Sequence, residues 1–593
     1  MLHLKIFRQG LCIAALIVCH AVTLPAQTAK QPGRAFSTET QLIFQQGMAA
    51  LKERNLDAAR AAFEKVVRLS PADSEAHNLL GWVLLAQGQI DSAVVECSKA
   101  IRLKPGFAEA HINLANAFVQ KHDLDGALRE AETAVRLVPN NPDAHRIVGR
   151  VLSFRRDLPG ATAALKKAVE LAPERAELRD ELGSVLAQQA LYDDATAEFR
   201  KAIELQPDLE LPHLHLGAIL FQQKSWQEAV IHLQTAANLA PDSAQTHFYL
   251  GQALEQGNRP AEAIKELQTA VKLQPSFADA HNRLGLVLQR TENVGEAIAA
   301  FRKATELQPD NSEFHNNLGL ALIQVGDAGS SISEFQTALR LRPNDSGYQG
   351  NLGVAYLQRA DFDSAINQFQ SALKLAPQDA TLHYDLGLAL KLKDRLSEAI
   401  GEFRKATELD PSQADAHYTL GVTLWQQGSF DDAVKELQAA IQARHDYAEA
   451  FYTLGTVLKQ QGKLQESADA LREAIRLQPD FAGAHTTLAT VLRQLGDTAG
   501  AAAETKAGRE IAQQKTSLQA AAFATNSGRR LLDAGDLDGA ISQFRSAISA
   551  VPDYAFAHYQ LGFALQRKGE RQESENEFKK AAELDSNLEP PAH

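Results

Sequence analysis

Histidine is the residue type in this sequence whose spacing most resembles an array built for chemistry. Imidazole is a common zinc ligand and titrates near neutral pH. Equivalent side chains on neighbouring helices are separated by about 8–10 Å, whereas each ligand of one zinc lies about 2.0–2.1 Å from the metal. The spacing therefore predicts packing and no bound metal. Eleven of the eighteen histidines occupy one position of a 34-residue pattern: His77, His111, His145, His213, His247, His281, His315, His383, His417, His485 and His558.

Other residues with chemical potential also favour structural roles. Residues 123–126 and 536–539 resemble the opening of a calcium loop, but such a loop needs further oxygen ligands and a closing Glu, so helix capping is predicted instead. Cys97 falls on a core position and is expected to be buried. The sequence contains no phosphate-binding glycine loop, HExxH pair or nucleophile elbow. We therefore expect no enzymatic activity and no cofactor.

A period of 34 residues organises the chain. When the recurring proline is given position 32, position 8 is Gly or Ala throughout, position 20 is Ala or Ser, and position 24 is usually large and apolar. The phase slips by five residues after Gln513, and Pro552 and Ser586 then resume the step. The prolines of the unbroken run are Pro71, Pro105, Pro139, Pro173, Pro207, Pro241, Pro275, Pro309, Pro343, Pro377 and Pro411.

Each period predicts a pair of helices. Positions 3, 4, 7, 8 and 11 recur at helical spacing, and so do positions 17, 20, 21, 24, 27 and 28. Polar residues or Gly near positions 14–16 separate the two runs, and the proline ends the second helix. One such pair cannot bury its apolar face alone, so successive pairs are expected to stack into a continuous core.

The period, the small residues at positions 8 and 20, the aromatic at position 24 and the closing proline resemble the tetratricopeptide repeat family over about residues 40–588. The resemblance implies an all-α fold, an α-solenoid that forms a right-handed superhelix of about 16 helix-turn-helix repeats. The sequence departs from the family at position 4, where it usually has His in place of the frequent Trp. The resemblance also implies that the first helices line a concave face through positions 2, 5, 6, 9, 12 and 13.

Those positions, carried over to this sequence, give a candidate partner-binding surface. Its aromatic members are expected either to anchor a peptide or to pack along their own helices. The repeats are also similar to those of O-linked N-acetylglucosamine transferases, although their asparagine ladder at position 6 is matched only in part and no catalytic domain is expected after the repeats. The candidate residues are Trp82, Asn113, Asn317, Asn351, Tyr384, Tyr418, Trp425 and Tyr452.

The sequence predicts several segments around the repeats. Residues 1–26, in which Lys5 and Arg8 precede an apolar run, are predicted to be a secretory signal peptide cleaved after Ala26, with an uncleaved anchor as the alternative. Residues 27–39 are predicted to be a flexible leader and 40–514 an array of fourteen repeats. The remaining segments are a joint at 515–520, a second array of two repeats at 521–588 that ends in a capping repeat, and a tail at 589–593.

Charge narrows the classes of partner. The net charge is −13, from 60 basic and 73 acidic residues, which disfavours nucleic acid and anionic membranes. We expect an exported, periplasmic or extracellular, non-catalytic scaffold that binds a protein or an extended peptide, without direct membrane insertion after signal cleavage. Two alternatives stay open: an accessory subunit of an envelope secretion or polysaccharide-export machine, and the repeat part of a protein O-glycosyltransferase system.

Overall fold

The computed structural model describes residues 37–588, and every regular element in that range is an α-helix, which confirms the predicted all-α fold. The predicted signal peptide, most of the leader and the tail lie outside the described residues. The first helix begins at Thr38, two residues ahead of the predicted start of the array. It begins there because the Ser37 hydroxyl accepts a hydrogen bond from the backbone N–H of Thr40 and so caps it.

Thirty-one helices make up the described residues. None of them is long and apolar enough to cross a membrane, as far as residues 37–588 are concerned. In chain order they are α1 Thr38–Lys52, α2 Leu56–Leu69, α3 Ser74–Ala86, α4 Ile90–Leu103, α5 Ala108–Gln120, α6 Leu124–Leu137, α7 Pro142–Phe154, α8 Leu158–Leu171, α9 Ala176–Gln188, α10 Tyr192–Leu205, α11 Glu210–Gln222, α12 Trp226–Leu239, α13 Ala244–Gln256, α14 Pro260–Leu273, α15 Ala278–Arg290, α16 Val294–Leu307, α17 Ser312–Gln324, α18 Ala328–Leu341, α19 Ser346–Gln358, α20 Phe362–Leu375, α21 Ala380–Leu392, α22 Leu396–Leu409, α23 Ala414–Gln426, α24 Phe430–Ala443, α25 Ala448–Gln460, α26 Leu464–Leu477, α27 Ala482–Gln494, α28 Thr498–Asp533, α29 Leu537–Ala550, α30 Ala555–Lys568 and α31 Arg571–Leu584.

Contacts divide the described residues into two compact units, 37–317 and 318–588. Within each unit the helices form pairs, and each pair packs against the next. First helices of successive repeats also contact one another, as α3 contacts α5 in the first unit and α19 contacts α21 in the second. Second helices make no comparable contact with each other in the described part of the chain. The first helices therefore lie on the more closely packed side of the stack in each unit.

Short turns with a fixed geometry join the two helices of a pair. Position 15 adopts a positive φ, whether it is a glycine such as Gly88 (73°) or a residue such as Arg54 (58°), and this ends the first helix. An Asp at position 16 then caps several of the second helices. The backbone N–H groups of Gly126 and Gly539 donate to Asp123 and Asp536, at 2.8 and 2.9 Å, so these acidic stretches cap helices as predicted.

Close approach of the two helices in a pair explains the small residue at position 8. A Cβ atom on Gly387 would lie 2.5 Å from Cε1 of Phe403, and one on Gly421 would lie 2.8 Å from Cγ of Leu437. Phe403 and Leu437 are both fully buried. The large side chain at position 24 therefore occupies the space that a side chain at position 8 would need.

The position-4 histidines bind the repeats together. Nδ1 of His77 lies 2.5 Å from Oε2 of Glu96 at position 23, and Nε2 lies 3.1 Å from the carbonyl oxygen of Pro71, which ends the preceding repeat. One imidazole thus joins three segments, which explains why this chain uses His at the position. The same pair of contacts recurs at His111, His247, His383, His485 and His558.

The predicted joint at residues 515–520 is helical in the structure. Helix α28 runs without interruption through Thr498–Asp533, so it combines the second helix of one repeat with the first helix of the next. It packs against both α27 and α29. The stretch contains no proline, because Gln513 holds the position of the closing proline, and it is rich in Ala and Gln, which favour helix. The five additional residues of the phase slip therefore form part of a continuous helix, and the prediction of a separate joint is corrected.

Candidate partner-binding surface

The predicted partner-binding residues all lie on first helices. We call the surface formed by positions 2, 5, 6, 9, 12 and 13 of these helices the inner face, and we describe it separately for each unit. Asn317 is buried, and the other seven residues are half-buried. In the first unit the inner face carries Trp82, Asn113 and Asn317, and in the second it carries Asn351, Tyr384, Tyr418, Trp425 and Tyr452.

Two of the candidate asparagines hold neighbouring repeats together. Nδ2 of Asn113 donates to Oδ1 of Asn78 at 2.9 Å, and Nδ2 of Asn317 donates to Oδ1 of Asn282 at 3.0 Å. Each bond joins position 6 of one repeat to position 5 of the repeat before it. Arg146 and Glu181 make the same link at 2.6 Å. This inter-repeat ladder already uses an amide N–H that the sequence assigned to a partner.

The aromatic candidates are packed against their own chain. The ring centroids of Tyr418 and Tyr447 lie 5.0 Å apart, and those of Tyr452 and Phe481 lie 4.7 Å apart. Nε1 of Trp425 donates to Gln460 at 2.7 Å.

The other two aromatic candidates pack in the same way. Tyr384 contacts the Phe403 ring at 5.8 Å, and Trp82 packs on the buried cluster that contains Val83. Packing therefore holds every aromatic candidate in place and leaves each one partly exposed.

An apolar depression on the inner face of the second unit was missed by sequence reasoning. It lies where α19, α21 and the following helices meet. Its most exposed leucine, Leu392, has 58% of its surface accessible. Leucines at positions 12, 9 and 13 of consecutive repeats were the sequence signal. The lining residues are Leu357, Leu388, Lys391, Leu392, Asp394, Leu396 and Gln426.

Two charged side chains on the inner face were not among the predicted partner-binding residues. Arg150 is at position 9, where burial lowers the pKa of its guanidinium, and its Nη1 lies 3.3 Å from Oδ1 of Asn116. Asp385 is at position 6, where burial and the like charge of Asp379 raise the pKa of its carboxyl to about 6. Because burial disfavours the charged form of each group, a nearby opposite charge stabilises it more than it would stabilise a fully solvated side chain.

In residues 37–588, no three His, Cys, Asp or Glu side chains come together as a metal-binding group. Cys97 is fully buried, and burial raises the pKa of its thiol to about 12, so it is not a nucleophile at neutral pH.

The geometry defines a class of protein, a helical scaffold of stacked two-helix repeats with a lined inner face. Family comparison agrees, because models described as tetratricopeptide repeats match most of the chain. The chain belongs to the tetratricopeptide repeat family, whose members are protein–protein interaction scaffolds. The matches cover residues 44–108, 149–210, 181–244, 216–276, 248–312, 282–346, 351–414, 393–449 and 452–514 for one model, and 84–151, 528–569 and 557–588 for three others.

The chain is also similar to several solved structures. The crystal structure of the APC/C hetero-tetramer Cut9-Hcn1 is 16% identical, with a TM-score of 0.37, and the match covers 77% of this chain and 97% of that one. MamA is 25% identical over 27% of this chain and 95% of its own, with a TM-score of 0.27. Pseudomonas aeruginosa pilF is 21% identical over 35% of this chain and 95% of its own, with a TM-score of 0.33. No curated protein sequence matches the chain.

Proposed function

We propose that this chain is a non-catalytic scaffold that holds a protein or an extended peptide along its inner face. The observation that carries the proposal is the apolar depression around Leu388 and Leu392. Leu388 packs on the same buried cluster as the partly exposed side chains of Tyr384, Tyr418 and Trp425. Exposed apolar surface beside fixed aromatics is typical of binding sites. Membership of the tetratricopeptide repeat family supports the same conclusion.

A matched pair of surface variants tests this function. Leu392→Ser removes an inner-face leucine that is 58% exposed, and Ile231→Ser removes an isoleucine on a second helix that is 63% exposed. Peptides selected by the full chain from a random display library should bind Leu392→Ser at least several-fold more weakly than wild type. Binding to Ile231→Ser should be unchanged. Equal affinities for all three proteins would contradict the proposal.

We further propose that the scaffold is exported to the periplasm or beyond the cell. The support is the amino-terminal sequence, in which Lys5 and Arg8 precede an apolar run that ends in small residues near Ala26. Mass spectrometry of the protein from cell fractions should find a mature amino terminus at Gln27, outside the cytoplasm. An intact Met1 on cytoplasmic protein would overturn this proposal.

A further inference from the structure

Asp385 occupies a gap in the inter-repeat ladder. In several repeats position 6 bonds to a side chain at position 5 of the preceding repeat, as Asn113 does to Asn78 and His215 does to Asp180. For Asp385 the corresponding residue is Gly350, which has no side chain to offer. A Cβ atom on Gly350 would lie 2.9 Å from Cδ2 of Leu382, so the close approach of α19 and α21 favours glycine there.

The Asp385 carboxyl group consequently has no hydrogen-bonding or ion-pair partner in residues 37–588. Among the described residues it makes no hydrogen bond and no ion pair, although it is half-buried. The one charge that acts on it strongly is another carboxylate, Asp379, which raises its pKa in the same direction as burial. A partly desolvated carboxylate without a counter-charge is a site that a cation from outside can stabilise.

The surroundings of Asp385 define what else the ligand must carry. Leu388 lies three residues further along α21, so it neighbours Asp385 on the helix surface, about 5–6 Å away. Leu388 and Leu357 line the apolar depression. At the far side, Lys391 makes no ion pair with any residue of the described range 37–588, and burial lowers its pKa. Its charge disfavours a second basic group at that end.

We propose that this part of the inner face binds an extended peptide segment that places a Lys or Arg side chain on Asp385 and an aliphatic side chain in the depression between Leu357 and Leu388. Alternate residues of an extended strand are about 6.5–7 Å apart on one side, within about 1–2 Å of the Asp385–Leu388 separation on the helix. The basic and aliphatic residues are therefore two positions apart in the peptide. The inference rests on the proposed scaffold function.

Selection from a random peptide display library, with the full chain as bait, provides the test. The selected peptides should be enriched in a basic residue two positions from Leu, Ile or Val. Fluorescence anisotropy with the most enriched peptide then compares wild type with Asp385→Asn. The control is Glu408→Gln, which neutralises an exposed carboxylate on α22. We expect about tenfold or greater loss of affinity for Asp385→Asn and none for the control.

The pH profile gives a second readout that a merely structural aspartate would not produce. Wild-type affinity should fall as the pH drops below about 6, because a protonated Asp385 cannot pair with a cation. The Asp385→Asn affinity should stay flat over the same range. Asp385→Lys should select acidic peptides in place of basic ones, and this result does not depend on how Asp385→Asn folds.

The outcomes separate this inference from the proposed function. Peptides that bind the inner face without a basic preference, or that bind Asp385→Asn as tightly as wild type, overturn the inference alone. Acidic peptides selected by wild type, seated on Lys391, would also overturn it. If the library yields no peptide that depends on the inner face, the proposed function fails and this inference fails with it.

Discussion

Two glycines of one repeat should respond in opposite ways to the same substitution. Gly387 at position 8 of α21 faces the fully buried Phe403, whereas a Cβ atom on Gly401 in α22 would meet no heavy atom of the described residues within 4 Å. We predict that Gly387→Ala destabilises the repeat and that Gly401→Ala stabilises it. The comparison isolates helix–helix distance from helix propensity, because both positions are helical.

The magnitude follows from the distances. A Cβ atom on Gly387 would lie 2.5 Å from Cε1 and 2.6 Å from Cδ1 of Phe403, about 1 Å inside ordinary carbon–carbon contact. Overpacking of this kind costs about 2–2.5 kcal/mol, and replacing a helical glycine by alanine stabilises the helix by about 0.5–1 kcal/mol. The net cost for Gly387→Ala is about 1–2 kcal/mol. Gly401→Ala should gain about 0.5–1 kcal/mol.

Hydrogen exchange is the appropriate assay, because repeat arrays open locally as well as globally. Protected amides in α21 and α22 should exchange about 5- to 30-fold faster in Gly387→Ala and several-fold more slowly in Gly401→Ala. The Gly387→Ala cost should disappear in a Phe403→Ala background, as a double-mutant cycle requires of a contact pair. Slower exchange in Gly387→Ala would refute the close approach of the two helices.

Three further predictions concern the histidine contacts and α28. The hydrogen bond to Glu130 raises the pKa of His111 against the opposing effect of burial, so its stabilisation is complete below its ordinary pKa and is lost as pH rises through the higher folded pKa. The difference in local opening free energy between wild type and His111→Gln should therefore become smaller as the pH is raised from about 5.5 to about 9. A difference that grows over this range would contradict the stabilising role of the His111–Glu130 hydrogen bond. His232 faces His213 at 3.1 Å where other repeats have Glu, and burial lowers the pKa of both, so His232→Glu should stabilise the chain by about 1 kcal/mol, measured as a higher melting temperature. Gln513→Pro, at an exposed position inside α28, should cost about 3 kcal/mol and create a new protease-sensitive site, whereas unchanged digestion would contradict the continuous helix.

Much of the fold could be predicted because each repeat carries the same types of residue at the positions that determine its helix pair. The glycine at position 8, the aromatic at position 24 and the closing proline act locally, so they specify helix pairs such as α21 and α22 directly. The packing role of the histidines was also accessible, but their partners were not. The His77 contacts join residues 19 positions ahead and six positions behind, and a helical pattern alone does not bring such residues together.

The repeat pattern was less informative at the phase slip after Gln513 and wherever a side chain depends on the neighbouring repeat. The five-residue slip predicted a joint, but the absence of proline between Asp497 and Asp533 let helix continue through it. The bond from Asn113 to Asn78 could not be predicted, because it depends on the neighbouring repeat, 35 residues away. Asp385 was missed for the same reason, since its importance comes from the glycine opposite it.

A hydrogen-exchange footprint of a selected peptide on the full chain shows whether the first helices form the binding surface. We predict that the peptide slows exchange in the first helices α19, α21 and α23, whose side chains line the depression of the second unit. Protection concentrated in the second helices α20, α22 and α24, with the first helices unchanged, would contradict it.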